Sequence, residues 1–153
     1  MSLTLSSSSF AHDERIPPHY TCQEADVSPP LTWTDPPPNT KSVALIVDDP
    51  DAPGGTWVHW VIYQLPSSLR ALPEAIPADD TLPDGSRQGL NDFHQIGYRG
   101  PCPPPGPAHR YRFTLYALDA SLTLPQRVTR ATLEQAIAGH MLAHAQLIGR
   151  FQR

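Results

Sequence analysis

Nineteen prolines, eighteen of them between Pro17 and Pro107, limit what this 153-residue chain can build. Proline removes a backbone donor and breaks helix interiors and the centres of sheets. An all-helical bundle is therefore excluded, and regular elements must fit between long, stiff connections. Disorder is excluded by the rest of the composition: 39% hydrophobic residues against 17% charged, with three Trp and five Tyr to bury. The length suits a single domain spanning residues 1–153, large enough to form a core without staples.

Charge removes further classes. The formal net charge is −4, Lys41 is the only lysine, and no basic block exists, which argues against nucleic acid as a partner. No apolar run approaches the length of a membrane span. The Ser-rich start, Met1 to Phe10, lacks the charged and apolar regions of a secretory signal, so the chain reads as cytoplasmic. Two cysteines, Cys22 and Cys102, are too few for a disulfide scaffold, and in the cytoplasm they default to reduced thiols.

Three runs carry strand signals. Lys41–Val47 is β-rich and apolar and stops at Asp48-Asp49-Pro50. Thr56–Leu65 is apolar on both faces, with Trp57, His59, Val61 and Tyr63 on one and Val58, Trp60 and Ile62 on the other, as in a buried central strand. In His109–Leu118 the residues His109, Tyr111, Phe113, Leu115 and Ala117 share a face, while Arg110, Arg112 and Thr114 point the other way. Leu31–Thr34 is a shorter strand. One helix is expected near the end, capped by Thr129 or Thr132, with Leu133, Ile137 and Met141 on one stripe and His140 and His144 one turn apart. Ala145–Phe151 reads as a final strand or a helix end. These signals predict a mainly-β domain of two packed sheets, with the helix covering one edge.

No nucleophile elbow, zincin motif, phosphate loop or dinucleotide fingerprint is present. Polar residues at strand ends remain. Asp49 and Asp51 flank Pro50; such a run is ordinarily a solvated turn. His59 sits in an apolar aromatic strand, where a histidine is more often a satisfied core residue than a ligand, yet both nitrogens need partners. Gly97–Tyr111 alternates glycines with prolines, either as a crossover or as a preformed pocket wall. Together Asp49, Asp51, His59, His109 and Tyr111 beside a rigid wall suit a small anion such as phosphate.

The same residues carry a resemblance. Asp49-Pro50-Asp51-Ala52-Pro53, His59-Trp60, Gly100-Pro101 and His109-Arg110-Tyr111 resemble the two signature regions of the phosphatidylethanolamine-binding protein family, bacterial Raf kinase inhibitor-like branch. Tyr20-Thr21-Cys22, Val27–Leu31, Trp33, Asn91-Asp92, Gly97-Tyr98, Leu115–Leu118 and Leu147–Arg150 extend it through nearly the whole chain. The resemblance implies a β-sandwich with one or two helices near the C-terminus. It implies an anion pocket lined by Asp49, Asp51, His59, Gly100, Pro101, His109 and Tyr111, with no catalytic or metal residue and no cofactor. The implied occupant is a phosphate-bearing or carboxylate ligand. The implied partners are a kinase or serine protease inhibited through the loops, and a second copy in a homodimer. The stretch Gly54–Val58 is shorter, and the Gly100–His109 loop about one residue longer, than is usual in the family. Both departures lie on the pocket rim and bear on ligand size. Cys22 and Cys102 fall in matched segments, which raises a disulfide between them as an alternative to free thiols.

A hydrolase or metal enzyme is the competing class. Two histidines and a carboxylate could hold iron, or an Asp–His pair could act as a general base. Against it stand the missing nucleophile and a spacing that matches no metal pattern.

Overall fold

The apolar runs between the prolines become the long strands of the larger of two sheets. The computed structural model describes residues 2–153. Strands β3 (Ser42–Asp49), β4 (Trp57–Pro66), β6 (Arg87–Gln88), β7 (His109–Leu118) and β8 (Met141–Phe151) form this sheet in the order β6-β4-β3-β7-β8. Strands β1 (Leu5–Ser6), β2 (Leu31–Trp33) and β5 (Ala71–Leu72) form a smaller sheet in the order β1-β2-β5. All the strand pairings within these sheets are antiparallel.

Every residue of β3 is buried, because β4 and β7 flank it and both its faces are covered. Alternation sends Val43, Leu45 and Val47 into the core between the sheets, where they join Leu5, Leu31, Trp33, Leu72, Phe113 and Leu115. Ala44 and Ile46 point the other way, into a second core with Val61, Tyr63, Leu133 and Ile137. The chain is thus mainly β with two packed sheets and one α-helix, as the resemblance implies.

That helix, α1 (Arg130–Ile137), is capped by the Thr129 side chain, which accepts from the Thr132 backbone N–H at 3.3 Å. It covers a face of the larger sheet, where its Leu133 and Ile137 meet Ala44 and Ile46, rather than an edge. It also ends earlier than the stripe suggests. Gly139 takes a positive φ of 83° and the chain turns back, so His140 lies in the turn and Met141 and His144 lie on β8. Ten paired positions with β7 outweigh the helical spacing of Met141.

In β4 the alternation is interrupted. Val47 pairs with Trp60 and Asp48 with Val58, so His59 is the extra residue of a β-bulge. Val58 consequently joins Val61 and Tyr63 on the helix side, and not Trp60 and Ile62 as simple alternation predicts.

Cys22 and Cys102 are disulfide-bonded, which corrects the expectation of reduced thiols. The Cys22 backbone N–H donates to the Pro101 carbonyl, so the two segments run side by side despite a separation of 80 residues. Among the described residues no helix is long and apolar enough to cross a membrane.

Candidate functional site

The three carboxylates at the end of β3 and just beyond it serve three different places. Asp48 and Asp49 are successive strand residues and so face opposite sides of the sheet. Asp48 binds Arg112 through both oxygens and Arg130 of α1 at 2.8 Å, tying the helix to the sheet. Asp49 turns toward the sandwich end and accepts from His109 Nδ1 at 2.7 Å. Its other oxygen accepts the Asp51 backbone N–H at 2.8 Å, an Asx turn that shapes the loop. Asp51 takes both ends of the Arg110 guanidinium and the Arg110 backbone N–H. Those bonds hold its carboxyl down at about 2.

The bulge decides the direction of His59. Its ring enters the end of the sandwich and meets Tyr111 and Phe93 edge-on, with centroids 5.3 and 5.5 Å away. Nδ1 donates to the Arg99 carbonyl at 2.7 Å, which leaves Nε2 as the ring's acceptor. Burial lowers the pKa of this imidazole, and the Arg99 carbonyl and Asp49 only partly oppose it. His59 is therefore neutral near pH 7. In both His59 and His109, Nδ1 is engaged by the protein and Nε2 has no hydrogen bond among the described residues.

Both rings line a cavity of about 580 Å³, together with Asp49 and Tyr111. Trp57 and Phe93, at 5.5 Å and nearly perpendicular, form an aromatic side. Pro53, Pro103, Pro104 and Cys102 form the stiff rim, and Asp92 and His94, either side of Phe93, also line the cavity. Among the described residues the Tyr111 hydroxyl is buried with no hydrogen bond of good geometry, although the Asp49 carboxylate lies near it. Burial, and then the Asp49 carboxylate, push its pKa well up, so it remains a donor. Among the described residues no Lys or Arg lines the cavity.

Four of the seven residues expected in the site, Asp49, His59, His109 and Tyr111, thus surround one cavity. Asp51, Gly100 and Pro101 lie outside its lining. Asp51 is bound to Arg110. Gly100 sits behind the wall, where a Cβ would fall 2.1 Å from the Tyr20 carbonyl oxygen, so only glycine fits. Its N–H donates to Asp26, and the Pro101 carbonyl accepts from Cys22. Sequence reasoning missed Trp57, Asp92, Phe93 and His94 as lining residues. Asp92 is placed by accepting the Val58 N–H at 2.7 Å, a pairing across 34 residues with no local signal beyond the Asn91-Asp92 pair.

Comparison with known proteins agrees with this architecture. A model of the phosphatidylethanolamine-binding protein family matches residues 6–152. A UPF0098 protein of Methanothermobacter thermautotrophicus is 48% identical over 151 residues, covering 99% of each chain. The candidate lipoprotein LppC of Mycobacterium tuberculosis is 42% identical over 98% of this chain and 72% of its own. The crystal structure of Escherichia coli YbcL, described as a member of the mammalian family, superposes with a TM-score of 0.93 at 31% identity over 100% and 99% of the two chains. That of the homolog CT736 from Chlamydia trachomatis gives 0.91 at 39% identity, over 99% and 98%. The chain belongs to the phosphatidylethanolamine-binding protein family.

Proposed function

We propose that this protein binds a small anion, a phosphate or phospho-head group or a carboxylate, in the His59/His109 cavity, and does not convert it chemically. One observation carries the reading: two imidazoles are oriented through Nδ1, by Arg99 and Asp49, with the Nε2 of each left for a ligand. A buried Tyr111 hydroxyl supplies a donor that needs no added proton, and each Nε2 becomes a donor only when its ring is protonated. A non-catalytic role is supported by the lining, whose only cysteine, Cys102, is held in a disulfide. Signalling through such a ligand follows the same reading.

With Asp49 and Asp92 in the lining and no fixed cation, an anion binds only if a proton comes with it. Affinity is accordingly weak at neutral pH. NMR titration of orthophosphate and phosphoethanolamine tests this: both His59 and His109 ring signals should shift at millimolar ligand. Unmoved rings with either probe, at pH 6 as at pH 7.5, would sink the reading.

Two further features complete it. A homodimer is supported by Met141 and Leu142, exposed at the start of the edge strand β8, and sedimentation checks it. A cytoplasmic location would hold Cys22–Cys102 against a reducing thiol pool, whereas a location outside the cytoplasm would keep it oxidised; one relative, LppC, is named a lipoprotein. Cell fractionation separates these.

A further inference from the structure

We infer that the Cys22–Cys102 disulfide is a redox-responsive tether for one wall of the cavity, opened by a small thiol that reaches Cys102. Cys102 is exposed and lines the cavity beside Pro103 and Pro104, while Cys22 lies partly covered in the segment behind. The bond therefore belongs to the accessible class that exchanges with thiols, unlike a disulfide sealed in a core.

Two parts of the wall are held differently. Up to Pro101 the chain is fastened without sulfur. The Tyr98 hydroxyl donates to the Tyr20 carbonyl at 2.7 Å, Gly100 N–H to Asp26 at 2.7 Å, and Cys22 N–H to the Pro101 carbonyl at 3.1 Å. Beyond it, Pro103, Pro104, Pro105 and Pro107 have no N–H to give. The hydrogen bonds fastening 102–107 are those with Arg153: its carbonyl accepts from Gly106 at 3.4 Å, and its guanidinium donates to Pro103. The pairing of β7 resumes only at His109. Among the described residues the disulfide is thus the one covalent tether between Pro101 and His109, beside the packing of the buried Pro103. The floor does not depend on it, since His59 is held by Arg99 and His109 by Asp49.

The chemistry closes with two thiols. A thiolate RS⁻ attacks Cys102 Sγ, giving a mixed disulfide and a Cys22 thiolate that takes a proton from water. A second thiol displaces Cys102 from the mixed disulfide as its thiol and leaves as RSSR. Two electrons pass from two RSH to the protein disulfide. Reduction then loosens residues 102–108 and widens the cavity mouth. The consequence for a ligand rests on the anion-binding reading; the loosening of the wall does not.

The test uses the full chain, ¹⁵N-labelled, before and after millimolar glutathione. Thiol titration should find none before and two after. The Gly106 and Ala108 amides should gain fast motion on reduction, while the His59 ring signal stays in place. Phosphoethanolamine should bind at least roughly threefold more weakly, because the wall must be ordered again on binding. Cys22→Ser should reproduce both changes without reductant, and Cys22→Ser/Cys102→Ser should match it. Two free thiols in the untreated protein, a bond that resists glutathione in the folded chain, or unchanged Gly106 and Ala108 amides after reduction overturns the inference. Loss of the whole fold on reduction also overturns it, making the bond a structural staple. If the oxidised protein binds neither phosphate probe, the proposed function fails, and the thiol count and amide dynamics still decide the tether.

Discussion

His109 Nδ1 donates to Asp49 Oδ2 at 2.7 Å, linking the first residue of β7 to the last residue of its neighbour β3. The pair is nearly closed to solvent, with side-chain exposures of 12% and 5%. It orients the imidazole through one nitrogen and leaves the other to the cavity. Asp49→Asn removes the charge that holds this tautomer. Phosphoethanolamine affinity should fall about tenfold, with a stability loss of ~1–2 kcal/mol for the weakened hydrogen bond. Calorimetric titration and urea melts measure the two effects.

If the cavity binds an anion as proposed, protonation of His59 couples that ligand to pH. Burial keeps its folded pKa below the ordinary 6.5. Below that pH the unfolded chain takes up a proton that the unliganded fold refuses, so stability must fall as the solution is acidified. A bound anion favours the protonated ring, so affinity should rise from about pH 8 to about pH 5.5. Thermal melts with and without phosphate across this range should diverge on the acidic side. His59→Gln should flatten the divergence.

Tyr111 carries a buried hydroxyl without a partner. Removing such a group loses no well-formed hydrogen bond, only the approach to Asp49, and relieves a desolvated dipole. Tyr111→Phe should leave the unliganded protein as stable or up to ~1 kcal/mol more stable. The same variant should bind orthophosphate severalfold more weakly. A clear stability loss in urea would show that the hydroxyl has a structural partner.

Gly100→Ala tests the support behind the wall. The new Cβ would meet the Tyr20 carbonyl oxygen and the Asp26 carboxylate, 2.1 and 2.6 Å away. Neither is a flexible apolar end, so the 20–26 segment must shift. The cost should reach or exceed ~1–3 kcal/mol, the usual range for overpacking. Gly54→Ala, with open space around it, is the control and should be near neutral in the same melts.

Much of the fold is legible along the chain because local pattern and final position agree. The alternation of His109–Leu118 predicts the observed strand and its buried face. The two-sided apolar run of Thr56–Leu65 predicts a strand covered on both sides. The pattern misleads where pairing overrides it. Met141 fits the helical stripe by spacing, yet β7 draws it into β8 opposite Leu118. Asp51 resembles a site residue by motif, but Arg110, 59 positions away, takes it.

The order of residues by itself pointed to the class of structure: proline placement breaks most of the chain up to Pro107 into segments too short for a helical bundle, and the β-branched, aromatic runs between prolines read as strands. It also determined which side chains bring chemistry, since imidazole, carboxylate and phenol near strand ends are visible without coordinates. Only the tertiary structure decided their roles. Asp48, Asp49 and Asp51 are chemically alike and adjacent, yet one anchors a helix, one orients His109 and one binds Arg110. Side-chain direction in a strand alternates with each residue, and one bulge at His59 resets it. Partners 40–80 residues away, such as Arg99 for His59 and Cys22 for Cys102, become neighbours through sheet register and loop contact, which no local pattern encodes.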